Sequence, residues 1–263
     1  MNKTLQAVQT HLHTGGHLWL FLDYDGTLVP IARTPDEAQP DAALLYLLAR
    51  IARTESIDLT IISGRPLASL RTMLRMPGIT LAGTYGIEVR KRNATIVRRV
   101  DPTRIRPKIL KIKSAWRKLI AKRSGFLLED KGLSIALHAR FAKPSERAVV
   151  IPSAEVIARM AVRPTNFRVL ADVDFLEVAP TLAHKGKAVE WLLGQRKLQS
   201  EMLVYFGDDD KDEEAFEVVR QIGGIPVRVG KFLSTSKAKE QLASSKDVRV
   251  WLGRFLEASR ETP

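Results

Sequence analysis

Short apolar runs alternate with longer amphipathic segments in the first and last thirds of the chain. The short runs, each typical of a buried strand, occupy residues 18–22, 59–62, 79–82, 202–206 and 225–229. Segments with apolar residues at helical spacing occupy residues 40–53, 66–74, 185–193 and 211–222. Strands that alternate with helices predict a parallel sheet covered on both faces, so we expect an α/β fold with a Rossmann-like, doubly wound core.

The middle third has a different order of elements. We predict, in chain order, a basic helix at 103–123, a hairpin of strands 126–129 and 133–139, a helix at 145–162, and a hairpin of strands 167–170 and 175–178. This α-β-β-α-β-β order predicts an inserted α+β domain. We place that domain at residues 104–180, so that residues 1–103 and 181–263 together form the doubly wound core.

Composition narrows the chemistry that is available. The chain has 263 residues, 45% of them hydrophobic, and it contains no cysteine. Disulfides, thiolate metal sites and a cysteine nucleophile are therefore excluded. The strongly apolar run near the start, residues 18–22, is far too short for a membrane-spanning helix or a signal peptide. We therefore expect a cytoplasmic protein with no membrane association.

The net charge of +13 is concentrated in one segment of the chain. Residues 88–123 hold fourteen Lys or Arg against two acids. One interpretation is a stripe that binds nucleic acid. We favour a solvated basic helix, because Trp116 is accompanied by no aromatic-rich platform on which bases could stack. Such a helix is also compatible with attracting a small anionic substrate.

Two carboxylates follow the first predicted strand, in the segment Asp23-Tyr24-Asp25-Gly26-Thr27. One of them can serve as nucleophile and metal ligand while the other transfers protons. The alternative is an Asx turn at the end of the strand. These residues alone leave both interpretations open.

Five acids occupy the six positions 208–213, where a predicted strand leads into a helix. Acids this close together repel one another and favour a bound cation. Asp210, Asp212 and Glu213 can instead cap the helix and complement its dipole, which leaves Asp208 and Asp209 unexplained.

Two further segments carry groups suited to an anion. Ser63-Gly64-Arg65-Pro66 places a hydroxyl and a flexible backbone before a helix, although Ser63 can also be a simple N-cap. Lys185 lies at another predicted helix start, where an unpaired ammonium group opposes the helix dipole, and this favours a functional role.

These groups occur in the order of the four motifs of the haloacid dehalogenase superfamily of phosphatases, which the chain resembles. Within it, the chain is similar to the trehalose-6-phosphate phosphatase family. The resemblance extends over residues 18–256, and its most specific segments are 22–31, 128–140, 176–178, 185–188, 207–213 and 250–252. It implies hydrolysis of trehalose 6-phosphate through an aspartyl-phosphate, with Mg²⁺ as cofactor. The alternatives are another sugar phosphate, such as sucrose phosphate or a mannosyl- or glucosyl-phosphoglycerate.

The resemblance implies a role for each acid. Asp23 would be the nucleophile and a Mg²⁺ ligand. Asp25 would be the acid–base catalyst and would bind Mg²⁺ through its backbone carbonyl. Asp208 would complete the protein ligands, and Asp209 and Asp212 would orient that shell without touching the ion.

The remaining candidates would bind substrate. Ser63 and Lys185 would hold the phosphoryl oxygens, with Gly64 shaping the loop, while Arg65 would either assist them or form a structural ion pair.

Three residues of the inserted domain, Glu129, Lys131 and Glu177, would hydrogen-bond the sugar when the two domains close. Their alternative interpretation is cross-strand ion pairing.

Three positions depart from the family pattern. The chain has Tyr85 where the family usually has His, His184 where it has Asn, and Lys211 where it has Thr. None removes a charged catalytic group, so activity should survive, but substrate fit and the charge near the metal are affected.

Overall fold

The computed structural model describes residues 3–162, 166–194, 201–231 and 233–258. Its elements in chain order are α1 (Lys3–His13), β1 (His17–Leu22), α2 (Ala42–Ala52), β2 (Ile57–Ile62), α3 (Leu67–Met73), β3 (Thr80–Gly83), β4 (Glu88–Arg90), β5 (Ile96–Arg98), α4 (Pro102–Ile120), β6 (Leu127–Asp130), β7 (Ile135–His138), α5 (Pro144–Ala161), β8 (Phe167–Asp172), β9 (Phe175–Pro180), α6 (Lys185–Leu193), β10 (Glu201–Gly207), α7 (Asp210–Gln221), β11 (Ile225–Val229), β12 (Glu240–Leu242) and α8 (Ser245–Ala258).

The chain divides into two compact units. The first comprises Met1–Val97 and His184–Pro263, and the second comprises Arg98–Ala183. The roles that we predicted for them, a catalytic core and a substrate-specificity domain, stay predictions. None of the helices in the described ranges is long and apolar enough to cross a membrane.

The first unit contains an eight-stranded sheet in the order β12-β11-β10-β1-β2-β3-β4-β5. The strands from β12 to β3 are parallel to their neighbours, and β4 is antiparallel to β3. β1 lies between β2, which follows it in the chain, and β10, which comes much later. β1 is therefore the switch point of the sheet, because the next strand in the chain lies on one side of it and a strand from the last third lies on the other. Ligands of such sheets bind at the switch point, outside the carboxyl ends of the strands.

β1 shows why the sheet is covered on both sides. Leu18, Leu20 and Leu22 belong to one apolar cluster together with residues of α1, α2, α3 and α8, whereas Trp19 and Phe21 belong to a second cluster with residues of α6 and α7. Burial of each such side chain contributes about 1.5–3 kcal/mol to folding. Since successive side chains point to opposite faces, an uninterrupted apolar strand requires apolar partners on both. The predicted doubly wound α/β core is confirmed.

The second unit has a four-stranded antiparallel sheet in the order β6-β7-β9-β8. Helices α4 and α5 pack against each other and against the sheet. The buried Trp116 of α4 donates a hydrogen bond from its indole nitrogen to the carbonyl oxygen of Ala154 in α5 at 2.9 Å. The predicted α-β-β-α-β-β order is confirmed.

Candidate active site

The loop after β1 brings two distant acids together. Asp23 donates its backbone N–H to the carbonyl of Phe206 in β10 at 2.9 Å, so the loop starts beside the end of that strand. Gly26 has a φ of +82°, and a Cβ atom at this position would overlap the carboxylate of Asp208. Glycine therefore allows both the turn and the close approach of the two loops.

Three carboxylates form a compact cluster at this edge of the sheet. One oxygen from each of Asp23, Asp208 and Asp212 lies within 4.8 Å of the others. Asp23 and Asp212 are buried, and Asp208 is partly buried. Carboxylate oxygens are the ligands that hard divalent cations prefer, so the donor set fits such an ion.

Lys185 supplies the positive charge inside this cluster. Its ammonium group donates hydrogen bonds to Oδ1 of Asp23 at 2.8 Å and to Oδ1 of Asp212 at 2.7 Å, and it lies 3.7 Å from Oδ1 of Asp209. The residue is only 2% exposed. Our premise of an unpaired lysine at a helix start is therefore wrong, because its acidic partners come from other segments of the chain.

Asp209 and Asp212 shape the start of α7. Asp209 is the N-cap residue: its Oδ1 accepts hydrogen bonds from the backbone N–H groups of Lys211 at 2.9 Å and Asp212 at 3.1 Å. The Asp212 carboxylate in turn accepts from the backbone N–H of Asp209 at 3.1 Å, which completes a capping box. The expectation that helix capping leaves Asp209 unexplained is wrong.

The carboxylate of Asp212 is fully engaged. Oδ1 accepts from Lys185 and from the hydroxyl of Tyr205, each at 2.7 Å, and Oδ2 accepts from the backbone N–H groups of Asp208 and Asp209, each at 3.1 Å. Although Asp212 lies close enough to share an ion with its neighbours, these hydrogen bonds use its lone pairs. Its geometry therefore favours orienting Lys185 and the Asp208 loop over direct metal ligation.

Tyr205 was missed by the sequence analysis. It lies in β10, a strand whose apolar character conceals a hydroxyl group aimed at an acid. Burial raises the pKa of Tyr205 well above its ordinary value, and the neighbouring Asp212 raises it further, so the phenol stays a hydrogen-bond donor.

Burial is the main cause of the raised pKa values of Asp23 and Asp208. Burial raises the pKa of Asp23 to about 8; Lys185 opposes this increase, and Asp208 and Asp209 add to it. Burial, followed by the charges of Asp209 and Asp212, raises the pKa of Asp208 to about 7. Both carboxyls therefore resist ionisation until more positive charge is provided.

The pKa of Lys185 is raised, and the pKa of Asp209 is lowered. Burial lowers the pKa of Lys185, but Asp212 and Asp23 outweigh burial and hold that pKa well above its ordinary value. Burial likewise raises the pKa of Asp209, but Lys185 and Lys211 outweigh burial and hold that pKa below its usual range. The ammonium group of Lys211 lies 3.3 Å from Asp209, so this departure from the family pattern reduces the negative charge of the cluster.

The loop after β2 places the next group of candidates. Ser63 does not cap α3, which begins at Leu67 after Pro66; its Oγ accepts instead from the backbone N–H of Arg65 at 3.1 Å. A Cβ atom on Gly64 would come within 2.7 Å of the ring of Tyr85, so glycine is required for this packing.

Tyr85 occupies an unusual backbone conformation beside this loop. Thr84 and Tyr85 have φ values of +48° and +54°, in the left-handed region. The backbone N–H of Tyr85 donates to the carbonyl of Ser63 at 2.8 Å, and its own carbonyl accepts from the N–H of His184 at 3.3 Å. Two of the departures from the family pattern, at 85 and 184, are therefore in contact with each other.

Arg65 contacts the second acid of the first motif. Its guanidinium donates to both carboxylate oxygens of Asp25, each at 2.7 Å. Of the two roles that the sequence left open for Arg65, the structural ion pair is present. Binding of phosphoryl oxygens by Ser63, Gly64 and Arg65 stays a prediction.

In the second unit, Glu129, Lys131 and Glu177 form a linked polar set. The ammonium group of Lys131 lies 3.1 Å from Oε1 of Glu177 and 3.8 Å from Oε2 of Glu129. The Ser134 hydroxyl donates to Glu177 at 3.0 Å, and the Glu177 side chain is fully buried. Ion pairing is therefore present, between Lys131 in the turn after β6 and glutamates of β6 and β9, and sugar binding by these residues stays a prediction.

Some of the basic residues in 88–123 have structural partners. Arg106 and Lys113 of α4 both bind the carboxylate of Asp130 in β6, Lys113 at 2.7 Å. In the first unit, Arg92 binds Asp58 at 3.0 Å. The rest of the segment includes exposed cations, and our preference for a solvated basic helix over nucleic-acid binding stays a prediction.

Comparison with known proteins shows which family this chain is similar to. A family model described as trehalose-phosphatase matches residues 21–248. The chain is similar to the trehalose-6-phosphate phosphatase of Escherichia coli (strain K12), with 30% identity over 241 residues that cover 90% of this chain and 85% of that protein.

Solved structures support the same relationship. The structure of a trehalose-6-phosphate phosphatase related protein matches with a TM-score of 0.78 and 26% identity, and covers 91% of this chain and 97% of that one. A haloacid dehalogenase-like hydrolase from Bacteroides thetaiotaomicron matches with a TM-score of 0.61 and 15% identity, over 90% of this chain and 98% of that one. The second likeness concerns the fold alone.

Proposed function

The chain belongs to the trehalose-phosphatase family, and from this membership and the geometry of the acidic cluster we propose that it hydrolyses trehalose 6-phosphate to trehalose and inorganic phosphate. The observation that carries the proposal is the convergence of Asp23, Asp208, Asp212 and Lys185 at the switch point of the sheet. Transfer of a phosphoryl group requires a nucleophile, neutralisation of charge and a fixed geometry, and these residues can supply all three.

We propose Asp23 as the nucleophile. Lys185 fixes Oδ1 of its carboxylate, which restricts the direction of attack. A carboxylate oxygen of Asp23 would bond to phosphorus while the bond from phosphorus to the sugar oxygen breaks. The product of this step is an aspartyl-phosphate, and Lys185 together with the hydroxyl of Ser63 would hold the transferred oxygens.

Asp25 would move the protons. In the first step its carboxyl group would give a proton to the departing sugar oxygen. In the second step its carboxylate would take a proton from the water that attacks phosphorus, which releases phosphate and restores Asp23. The same group can serve both steps because the first leaves it ionised.

Mg²⁺ fits the acidic cluster, and the side chains of Asp23 and Asp208 with the backbone carbonyl of Asp25 would hold it. When bound, it would supply positive charge that stabilises the transferring phosphoryl oxygens and keeps both carboxyls ionised. Asp212 and Asp209 would orient these ligands through the hydrogen bonds already described.

We assign sugar recognition to Glu129, Lys131 and Glu177. Lys131 pairs with both glutamates, which keeps these charged groups in place within the second unit, so that hydroxyl groups of a sugar could be bound with little loss of side-chain entropy. Glu177, which is fully buried, would act by holding Lys131 in position. With this assignment, residues of the first unit would perform the phosphoryl transfer, and residues of the second unit would select the sugar.

The proposal is tested by phosphate release from a panel of substrates, with Mg²⁺ or with EDTA. We expect turnover of trehalose 6-phosphate to exceed that of sucrose phosphate, glucose 6-phosphate and the glycosyl-phosphoglycerates, and to stop in EDTA. Asp23→Asn should abolish release, while Asp36→Asn, an exposed acid on the same unit, should not. Preference for another sugar phosphate would refute the substrate, and an active Asp23→Asn variant would refute the nucleophile.

A further inference from the structure

Several contacts fix the guanidinium group of Arg65. Nε donates to Oδ2 of Asp25, Nη2 donates to Oδ1 of the same carboxylate and to the carbonyl of Pro35, and all three distances are 2.7 Å. Nη1 lies 3.7 Å from the sulfur of Met73, and the guanidinium carbon lies 5.3 Å from the centre of the Tyr24 ring. With 8% of its side chain exposed, Arg65 has little freedom to move.

This arrangement also orients Asp25. A guanidinium that binds both oxygens of a carboxylate fixes the rotation of the carboxylate as well as its position. The Asp25 side chain is 39% exposed, so its other side remains accessible to solvent. Arg65 thus holds an otherwise accessible carboxyl group in one orientation.

The same contacts argue against a phosphate-binding role. To bind phosphoryl oxygens through Nε and Nη2, Arg65 would have to release the carboxylate of Asp25. It would also have to leave the carbonyl of Pro35, which costs a partly buried hydrogen bond. Lys185 and Ser63 can hold a phosphoryl group without these losses.

We infer that Arg65 is a positioning residue that orients the carboxyl group of Asp25 for proton transfer, and that it is not a ligand of the phosphoryl group. This inference rests on the proposed function, because it assumes that Asp25 is the acid–base catalyst. It assigns Arg65 to one of the two roles that the sequence left open.

The inference predicts a dependence on the leaving group. A sugar alkoxide is a poor leaving group and needs a proton, whereas p-nitrophenolate leaves without one. Arg65→Ala should therefore lower kcat for the sugar phosphate by about 10²–10⁴-fold, as expected when acid catalysis is lost. The burst of p-nitrophenol released from p-nitrophenyl phosphate in the first turnover should change less than about threefold.

Three variants and one control separate positioning from binding. Arg65→Lys keeps the positive charge but loses the pair of N–H donors that bind both carboxylate oxygens. Its kcat should therefore lie between that of Arg65→Ala and that of the wild type. Arg65→Ala combined with Asp25→Asn should be no slower than Asp25→Asn alone, because both changes remove the same function. Arg220→Ala, which removes an exposed arginine of the first unit, should match the wild type. Circular dichroism and urea unfolding identify any variant that does not fold.

The inhibition constant of inorganic phosphate decides between the roles. If Arg65 only positions Asp25, the inhibition constant of phosphate is unchanged in Arg65→Ala. If Arg65 binds phosphate, the constant rises about tenfold or more in the variant. A raised constant, together with equal losses for sugar and aryl phosphates, would overturn the inference and leave the proposed function intact. A folded wild-type chain that hydrolyses no phosphate monoester would refute the proposed function, and this role with it.

Discussion

Binding of Mg²⁺ should release protons from the acidic cluster and should strengthen as the pH rises. The pKa of Asp23 is raised to about 8 and that of Asp208 to about 7. A metal ligand must be deprotonated, so each bound ion displaces the protons that these carboxyls still carry. Below pH 7 up to two protons leave, and between about pH 7 and 8 about one leaves. The apparent dissociation constant should therefore fall about a hundredfold per pH unit below pH 7 and about tenfold per unit between pH 7 and 8.

The stability of the metal-free protein should change in the opposite sense. Both carboxyls have a pKa above the ordinary value of 3.8, so between about pH 4 and 8 the folded state holds protons that the unfolded chain has released. The free energy of unfolding must then fall as the pH rises through this range, and level off above pH 8. Mg²⁺ should offset part of this loss, since an ion at one hundred times its dissociation constant adds about 2.7 kcal/mol.

Isothermal titration calorimetry measures the released protons directly, in two buffers of different ionisation enthalpy at each pH from 6 to 8.5. Urea unfolding with EDTA or Mg²⁺ over the same range measures the stability. Asp208→Asn should weaken binding and reduce proton release, whereas Asp210→Asn, an exposed acid beside the cluster, should do neither. Mg²⁺ affinity that stays constant between pH 6 and 8, with no proton release, would refute the reasoning.

Further variants test individual parts of the site. Lys185→Met leaves buried carboxylates without their cation, so the free energy of unfolding in urea should fall by about 3–5 kcal/mol; a loss below about 1 kcal/mol would contradict the pairing. Gly26→Ala must displace Asp208 and should weaken Mg²⁺ binding at least about tenfold by calorimetry. Gly223→Ala is its control, since it has a similar φ of +83° and nothing within 4 Å of the added Cβ. Glu177→Gln should raise KM for the sugar phosphate about tenfold and leave that for p-nitrophenyl phosphate unchanged; equal effects would contradict a role in sugar recognition.

The central strands were predictable because both faces of the sheet are buried, which makes each strand a short apolar run. Other elements carry weaker signals. β12 has three residues, Glu240–Leu242, and none of them is buried. Helix α8 was not predicted, although its buried residues Val248, Leu252 and Phe255 recur at helical spacing. The polar residues between them reduce its apolar character, so that its docking onto the sheet had to be seen in the structure.

The candidate site was predictable as a set of strand ends but not as a set of contacts. Parallel strands bring their carboxyl ends to one edge, which predicts the meeting of Asp23 with Asp208 that the structure shows; Ser63 follows the neighbouring strand β2. The pairing of Arg65 with Asp25 joins positions forty residues apart and depends on the exact course of two loops. The partners of Lys185 depend likewise on how α6 and α7 begin, which no local pattern specifies.

Asp212 illustrates why these contacts matter for the chemistry. Its carboxylate joins Lys185 of α6, Tyr205 of β10 and the backbone at the start of α7. Burial raises the pKa of Asp212 well above its ordinary value, an effect that Lys185 opposes, so keeping this acid ionised depends on the lysine. The three elements are therefore fixed by an acid that has no lone pair to spare for an ion. These contacts hold the Asp208 loop directly and Asp23 through Lys185, and transfer of a phosphoryl group requires such a fixed geometry.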